Sequence, residues 1–285
     1  MLRAEGVEGI PAELVCRVLG IARSAYYNRK RTPRTDKEKE RLEQRRLLKE
    51  VFEENRSEYG RERLHKAMTE KGYKMSLGKT RSLMKEEGLI PKKCKKYKVT
   101  TNSKHTYQVA DNLLNQDFKA EKPNEKWCGD SSYVWTDEGW LYTAGIIDLC
   151  DKTCVGLRFS ERHTQDLMIR TLDDAHREYR PEKGLIFHSD RGVQYAANDY
   201  KARLKRYSMT QSMSRSGNPY DNAAMESFWS TVKLGCVEGV RFRTRKAAIK
   251  AIFEYVFGFY NTKRYHTSIG LQTPMEYRRS LLSAA

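Results

Sequence analysis

Three carboxylates stand apart from the other acids of this chain by position rather than by type. Asp130 lies inside a run of aromatic and β-branched residues, KWCGDSSYVW. Asp190 ends a short apolar run, LIFHSD, and Glu226 sits about one turn into an amphipathic helix, with 35 residues between these two. Brought together, the three supply the hard oxygen ligands that Mg²⁺ or Mn²⁺ prefers, and two such ions about 3.5 to 4 Å apart can clamp an in-line phosphoryl displacement. Other acids have plainer explanations. Asp137 reads as a turn residue, Asp148 and Asp151 flank another turn, and Asp173 and Asp174 belong to a helix.

The stretch SGNPYDNAAMESFWSTVKLG, residues 216–235, delivers Glu226. Gly217 and Asn218 tolerate positive φ, Pro219 fixes φ, and Asp221 or Asn222 can cap the helix that follows. Met225, Phe228, Trp229 and Val232 form a buried stripe. Glu226, Ser230 and Lys233 form a second stripe, rotated by about 100° at 3.6 residues per turn. A carboxylate and an ammonium thus look out together from the edge of a core.

The elements that must hold these groups begin near Glu125. KWCGDSSYVW, WLYTAGIIDLC and TCVGLRFS read as three antiparallel strands joined at Asp137-Glu138-Gly139 and Asp151-Lys152. A helix over about residues 164–179 places Met168, Leu172, Ala175 and Tyr179 on one face. LIFHSD suits a buried central strand whose end opens into a site, NDYKARLKRY a helix, and MTQSMS a strand. The order strand, strand, strand, helix, strand, helix, strand, helix predicts an α/β mixed sheet flanked by helices. Upstream, residues 1–34 read as a helix-turn-helix-like fragment and 35–90 as a small helical DNA-binding domain. Residues 91–124 read as a basic linker, 125–240 as the catalytic core and 241–285 as its C-terminal helical part.

With 285 residues and a formal charge of +17, the chain suits a polyanionic partner. The surplus is uneven: residues 1–100 carry 27 Lys and Arg against 15 Asp and Glu. No apolar run is long enough to span a bilayer, so nucleic acid precedes membrane as the partner. In PKKCKKYK, Lys92, Lys93, Lys95 and Lys96 form either a solvated linker or a flexible arm on backbone phosphates. Six cysteines without a CxxC pair or signal peptide indicate reduced thiols in a cytoplasm rather than disulfides or a zinc site.

Several motifs together resemble the OrfB transposases of the bacterial insertion-sequence-three family. They are Trp127-x-x-Asp130 with Tyr133, His188-Ser189-Asp190-Arg191-Gly192 with Gln194-Tyr195, and Ser216-Gly217-Asn218 leading to Asp221-Asn222-Ala223 and Glu226-Ser227-Phe228 with Lys233. Tyr260-Asn261, Arg264, His266 and Thr273-Pro274 match the family's closing signature, while Tyr59-Gly60-Arg61 and residues 84–89 resemble its front module. Ser131-Ser132 departs mildly from the usual pattern.

The resemblance implies a ribonuclease H-like core with Asp130, Asp190 and Glu226 as catalytic, metal-binding acids, and Mg²⁺ or Mn²⁺ as two ions. It implies cleavage and strand transfer on double-stranded transposon ends and target DNA, by a homo-oligomer associated with the nucleoid. Lys233 is expected at a DNA phosphate, the Gly217-Asn218 loop close to the strand, and Arg191, Asn218 and Asn222 at further DNA contacts. His188 admits two readings, a DNA contact or a packed strand histidine. No sustained heptad zipper precedes Pro33, so an upstream OrfA product, or fusion with it, is an expected partner. Two rival functions remain at this level, a ribonuclease H-like nuclease that cuts without joining and a non-catalytic DNA-binding regulator.

Overall fold

The computed structural model of the protein describes residues 11–31, 36–92, 107–216 and 218–283. Its centre is a five-stranded sheet in the order β3-β2-β1-β4-β5. The strands are β1 (Lys126–Thr136), β2 (Gly139–Asp148), β3 (Cys154–Ser160), β4 (Ile186–Ser189) and β5 (Thr210–Met213). The first three are antiparallel, as their short polar turns predict, with Gly139 at φ 102 closing the first turn. β4 and β5 run parallel to β1, so each must be reached by a crossover. Helix α6 (Gln165–Tyr179) makes the first, and α7 (Val193–Ala196) with α8 (Asn198–Arg206) the second.

Alternation along β1 splits the core in two. Trp127 faces one layer with Phe187, Leu172 and Tyr200. Cys128 and Val134 face the other, with Phe228, Trp229 and Tyr255 from α9 (Ala223–Cys236) and α10 (Arg245–Tyr255). A mixed sheet covered by helices on both faces is the ribonuclease H-like arrangement expected from the element order and the resemblance.

The front helices join this second layer. Leu48, Val51 and Phe52 of α3 (Asp36–Glu54), Leu64 of α4 (Arg61–Glu70) and Leu83 of α5 (Leu77–Glu86) belong to the same contiguous cluster as Phe228 and Tyr255. Hydrogen bonds reinforce the junction. Tyr255 donates its hydroxyl to Glu58 at 2.8 Å, and Arg264 donates Nε to the same carboxylate oxygen at 3.3 Å. The Tyr59 hydroxyl donates to the Lys263 carbonyl at 2.9 Å and accepts the Tyr265 N–H at 3.0 Å. The motifs at the two ends of the chain therefore meet. Farther out, α1 (Ala12–Leu19) and α2 (Arg23–Arg31) form the expected pair around Gly20, yet Leu14, Val18 and Leu19 remain exposed and Cys16 is the buried residue of α1.

The C-terminal helix α11 (Pro274–Ser283) is anchored by a buried charge. Arg278 Nη1 lies 3.2 Å from Asp148 and 2.8 Å from Asp151, and Nη2 donates to Asn124 at 2.6 Å. These two acids thus serve the fold, beyond the turn role the sequence suggested. Among the described residues, Cys16, Cys128, Cys150, Cys154 and Cys236 are free and buried; Cys94 lies outside them.

Gly235 shows how closely α9 and α10 approach, since a Cβ there would stand 2.0 Å from Cε2 of Tyr255. In an open helix, Gly→Ala gains up to about 1 kcal/mol. Here we expect Gly235→Ala to destabilise by about 1–3 kcal/mol, because overpacking displaces the Tyr255 ring and its bond to Glu58. Urea denaturation of the variant checks the sign.

Candidate active site

Parallel pairing of β1 with β4 sets Trp127 against Phe187, Cys128 against His188 and Gly129 against Ser189. One step further along the same register come Asp130 and Asp190. Parallel neighbours are about 4.8 Å apart, so the two carboxylates emerge side by side. Gly129 permits this: a Cβ at that position would stand 2.5 Å from Cζ of Phe187. β4 ends at Ser189, whereas β1 continues to Thr136, which bridges Phe242. Between those points β1 keeps its pairing with β2 and has no β4 partner.

Backbone amides fix both acids. The Ser131 N–H donates to Asp130 Oδ1 at 2.7 Å, and the Gly192 N–H donates to Asp190 Oδ1 at 2.9 Å. Burial first, then the Asp190 charge, pushes the Asp130 carboxyl well above its ordinary range, and Glu226 adds to the push. The Ser131 amide and Lys233 oppose it. The Cys128 thiol beneath is raised by burial and by both aspartates, and it donates to Asn222 Oδ1 at 3.4 Å.

Glu226 projects from the first turn of α9 and is exposed, with its carboxyl raised by partial burial. Lys233, two turns later, is half-buried; burial lowers its ammonium and Asp130 opposes that shift. Its Nζ lies 5.5 Å from the Tyr133 ring centroid. Asp190, Glu226 and Lys233 therefore all act electrostatically on Asp130. Among the described residues, no three His, Cys, Asp or Glu side chains yet close around a common ion position. The aspartate pair is assembled, while Glu226 stands at its mouth.

The remaining expected contacts divide. His188 is fully buried: Nε2 donates to the Asp221 carbonyl at 3.0 Å, and Nδ1 lies 2.8 Å from the Ser212 hydroxyl. Burial lowers it to about 4. Of its two readings, the packed strand histidine describes this geometry, and direct DNA contact does not. Asn222 is likewise buried beneath the site. Asn218 caps the Tyr220 N–H at 3.1 Å, and Arg191 donates Nε to the Ser214 carbonyl at 2.6 Å; both side chains are partly accessible. Lys92 is exposed, whereas Lys93, Lys95, Lys96 and Gly217 lie outside the described residues.

Sequence reasoning gave Asp221 only as a helix cap and part of a motif, and did not single out His163. Asp221 is buried and held by Arg215, with Nη2 at 3.0 Å, and by Asn112 at 2.9 Å and Gln116 at 3.1 Å. Arg215 holds its carboxyl below the usual range and so pins the entrance of α9. His163 lies at the rim, where Nε2 is 2.9 Å from the Ser131 hydroxyl and Nδ1 accepts from Gln194 at 3.1 Å. An isolated histidine after a strand carries no sequence signal; only the fold brings it beside Asp130.

Comparison with known proteins identifies the family. Residues 120–219 and 207–274 match family models described as Integrase core domain, and residues 37–97 match an HTH-like domain. The uncharacterized 31 kDa protein of insertion element IS600 from Shigella sonnei is 41% identical over 264 residues, covering 93% of this chain and 97% of that protein. Transposase InsF for insertion sequence IS3A from Escherichia coli K12 is 35% identical over 271 residues, with 94% of each chain covered. A simian T-cell lymphotropic virus intasome structure matches at 12% identity and a TM-score of 0.48, covering 75% of this chain and 70% of that one. With an integrase core, an HTH-like module ahead of it and InsF-type relatives over nearly its whole length, the chain belongs to the IS3-type insertion-sequence transposases and is a DNA transposase.

Proposed function

We propose that Asp130, Asp190 and Glu226 are the catalytic acids of this transposase and hold two divalent cations, Mg²⁺ or Mn²⁺, for cleavage and strand transfer at insertion-sequence ends. The observation that carries this reading is the β1–β4 register, which holds two carboxylates side by side at an open strand edge beside a lysine. The donor set fits a hard cation, because Asp130 is pushed toward its neutral form and a divalent charge reverses that push. Bound there, Mg²⁺ supplies charge neutralisation and activates the attacking hydroxyl. The chain's own groups do the rest. The Ser131 and Gly192 amides hold the two aspartates in place. Glu226 moves in from the helix to complete the ligand set, and Lys233 fixes the adjoining phosphate.

The exposed apolar residues of α1 support an upstream OrfA product, or fusion with it, as a covering partner. We also infer action on DNA at the nucleoid by a homo-oligomer; no helix among the described residues is long and apolar enough to cross a membrane.

A strand-transfer assay on labelled insertion-sequence-end DNA, with and without Mg²⁺, tests the proposal. The wild type yields shortened and joined products only with the metal, and Asp190→Asn binds DNA yet yields neither. Shortened products alone would assign a nuclease, and joining by Asp190→Asn would remove the triad assignment.

Stability gives a second check. An acid whose folded pKa is raised costs stability once the pH exceeds its unfolded pKa, and costs nothing below it. Metal-free Asp130→Asn is therefore expected to be more stable than wild type at pH 7, with the gain vanishing as the pH falls below the ordinary carboxylate range. Adding Mg²⁺ raises the wild-type melting temperature and leaves the variant's nearly unchanged.

Lys233→Ala should weaken binding of end DNA and lower the slope of log affinity against log salt by about one. Lys233→Arg should restore the slope. An unchanged slope in the alanine variant would place the phosphate elsewhere.

A further inference from the structure

Four aromatic residues stand where a solvent-facing sheet surface ordinarily carries polar side chains. In the β1–β2 hairpin, Tyr133 pairs with Tyr142 and Trp135 with Trp140. Tyr133, Trp135 and Trp140 are exposed by 39%, 57% and 43%, while the opposite face of the same strands buries Val134 and Leu141. Helix α6 begins only at Gln165 and covers the deeper part of this face, so the hairpin projects beyond it.

The rings form a continuous strip. Trp135 and Trp140 lie 4.8 Å apart between centroids, Trp140 and Tyr133 5.0 Å, Tyr133 and Tyr142 6.4 Å, and Tyr142 stacks on His163 at 5.2 Å. At its inner end His163 contacts Ser131, the chain neighbour of Asp130, and lies within reach of the Asp190 charge. Trp135–Trp140 and Tyr133–Trp140 meet at 76° and 86°. In such an edge-to-face pair, the ring that presents its edge keeps both faces outside the contact.

We propose that this strip is a stacking platform for unpaired nucleobases of the DNA strand whose phosphate sits at the acids. The proposal rests on the transposase reading above. A contiguous exposed aromatic surface marks an interaction site, and a nucleobase offers a flat π-face to each ring without regard to sequence. Electrostatics favours nucleic acid over another protein. The Lys233 ammonium lies over Tyr133 at the inner end of the strip. At its outer end Arg241 pairs with Asp137 at 3.1 Å and Arg245 with Glu161 at 3.2 Å, the turn carboxylate Glu138 accepts the Arg245 N–H at 2.8 Å, and Arg243 and Lys246 are exposed. A strand approaching the acids thus has cations for its phosphates and rings for its bases.

The test uses the full chain without metal, so that no reaction is involved. Binding of a single-stranded oligodeoxynucleotide of about 12 bases, within the range of known stacking grooves, and of a blunt, fully paired duplex is measured by fluorescence anisotropy. The Trp135→Ala/Trp140→Ala double variant should bind the single strand about tenfold or more weakly and the paired duplex within about twofold of wild type. Trp140→Phe, which keeps a ring face, should retain most of the affinity. A 2-aminopurine base in the oligonucleotide should be quenched by wild type and Trp140→Phe but not by the double variant. Equal single-strand affinity in folded double variant and wild type overturns the proposal, as does an equal loss for the paired duplex. A change from dimer to monomer by light scattering, with oligonucleotide binding unchanged, would give the strip to a second copy and also overturn it. Strip-dependent binding by a protein that forms no joined products in the strand-transfer assay would instead remove the functional reading and leave the platform standing.

Discussion

The aspartate pair at the heart of this site follows from parallel hydrogen bonding between two short stretches of backbone, residues 126–129 of β1 and 186–189 of β4. That ladder forces Asp130 and Asp190 into adjacency against their mutual repulsion. Few interactions compensate for it. The Ser131 amide and Lys233 oppose the burial and the like charge that drive Asp130 toward protonation, and the Gly192 amide holds Asp190. Metal-free, the arrangement is a place of stored electrostatic stress, and the apolar packing of Phe187 against Gly129 holds it shut. Pairing geometry therefore creates the cost, and with it the cation affinity we propose.

Glu226 depends on a separate lock. Its helix enters through a short helical turn over Pro219–Asn222, and Asp221 in that turn is tied to Arg215, Asn112 and Gln116. The Asp221 carbonyl in turn accepts from His188, the residue paired with Cys128 in the central ladder. The histidine is held neutral by burial, which suits a group that positions the helix entrance without adding charge beneath two acids. Through it, the strand that carries Asp190 and the turn that precedes Glu226 are one hydrogen-bonded unit. Glu226 nevertheless remains exposed, so the last adjustment is left to its own side chain and the first turn of α9.

Much of this was legible in the sequence, for identifiable reasons. The strands of the hairpin and the helix after them announce themselves by period and by Gly and Asp turns. The acids stand out because each occupies an element end or interior where an acid has no local use. Legibility stopped where side chains serve partners far away in sequence. Asp148 and Asp151 looked like turn residues because Arg278, their counter-charge, arrives from the last helix. His188 could be read either way until Ser212, Ser214 and Asp221 surrounded it. The exposed apolar face of α1 contradicts no period rule; periodicity locates an apolar stripe without saying what covers it.

The same limit applies to the motifs at the two chain ends, whose use is mechanical. Tyr59 and Glu58 close the front helices onto the segment from Tyr255 to Tyr265 through buried hydrogen bonds. Tyr255 also abuts Gly235 on the helix that carries Glu226 and Lys233. Front module, C-terminal helices and catalytic helix thus share one packed core, and packed cores rearrange in steps rather than bending freely. Tyr255 is thus the contact shared by the junction with the front helices and by the helix that carries Glu226 and Lys233, so packing on one side of that ring constrains the other.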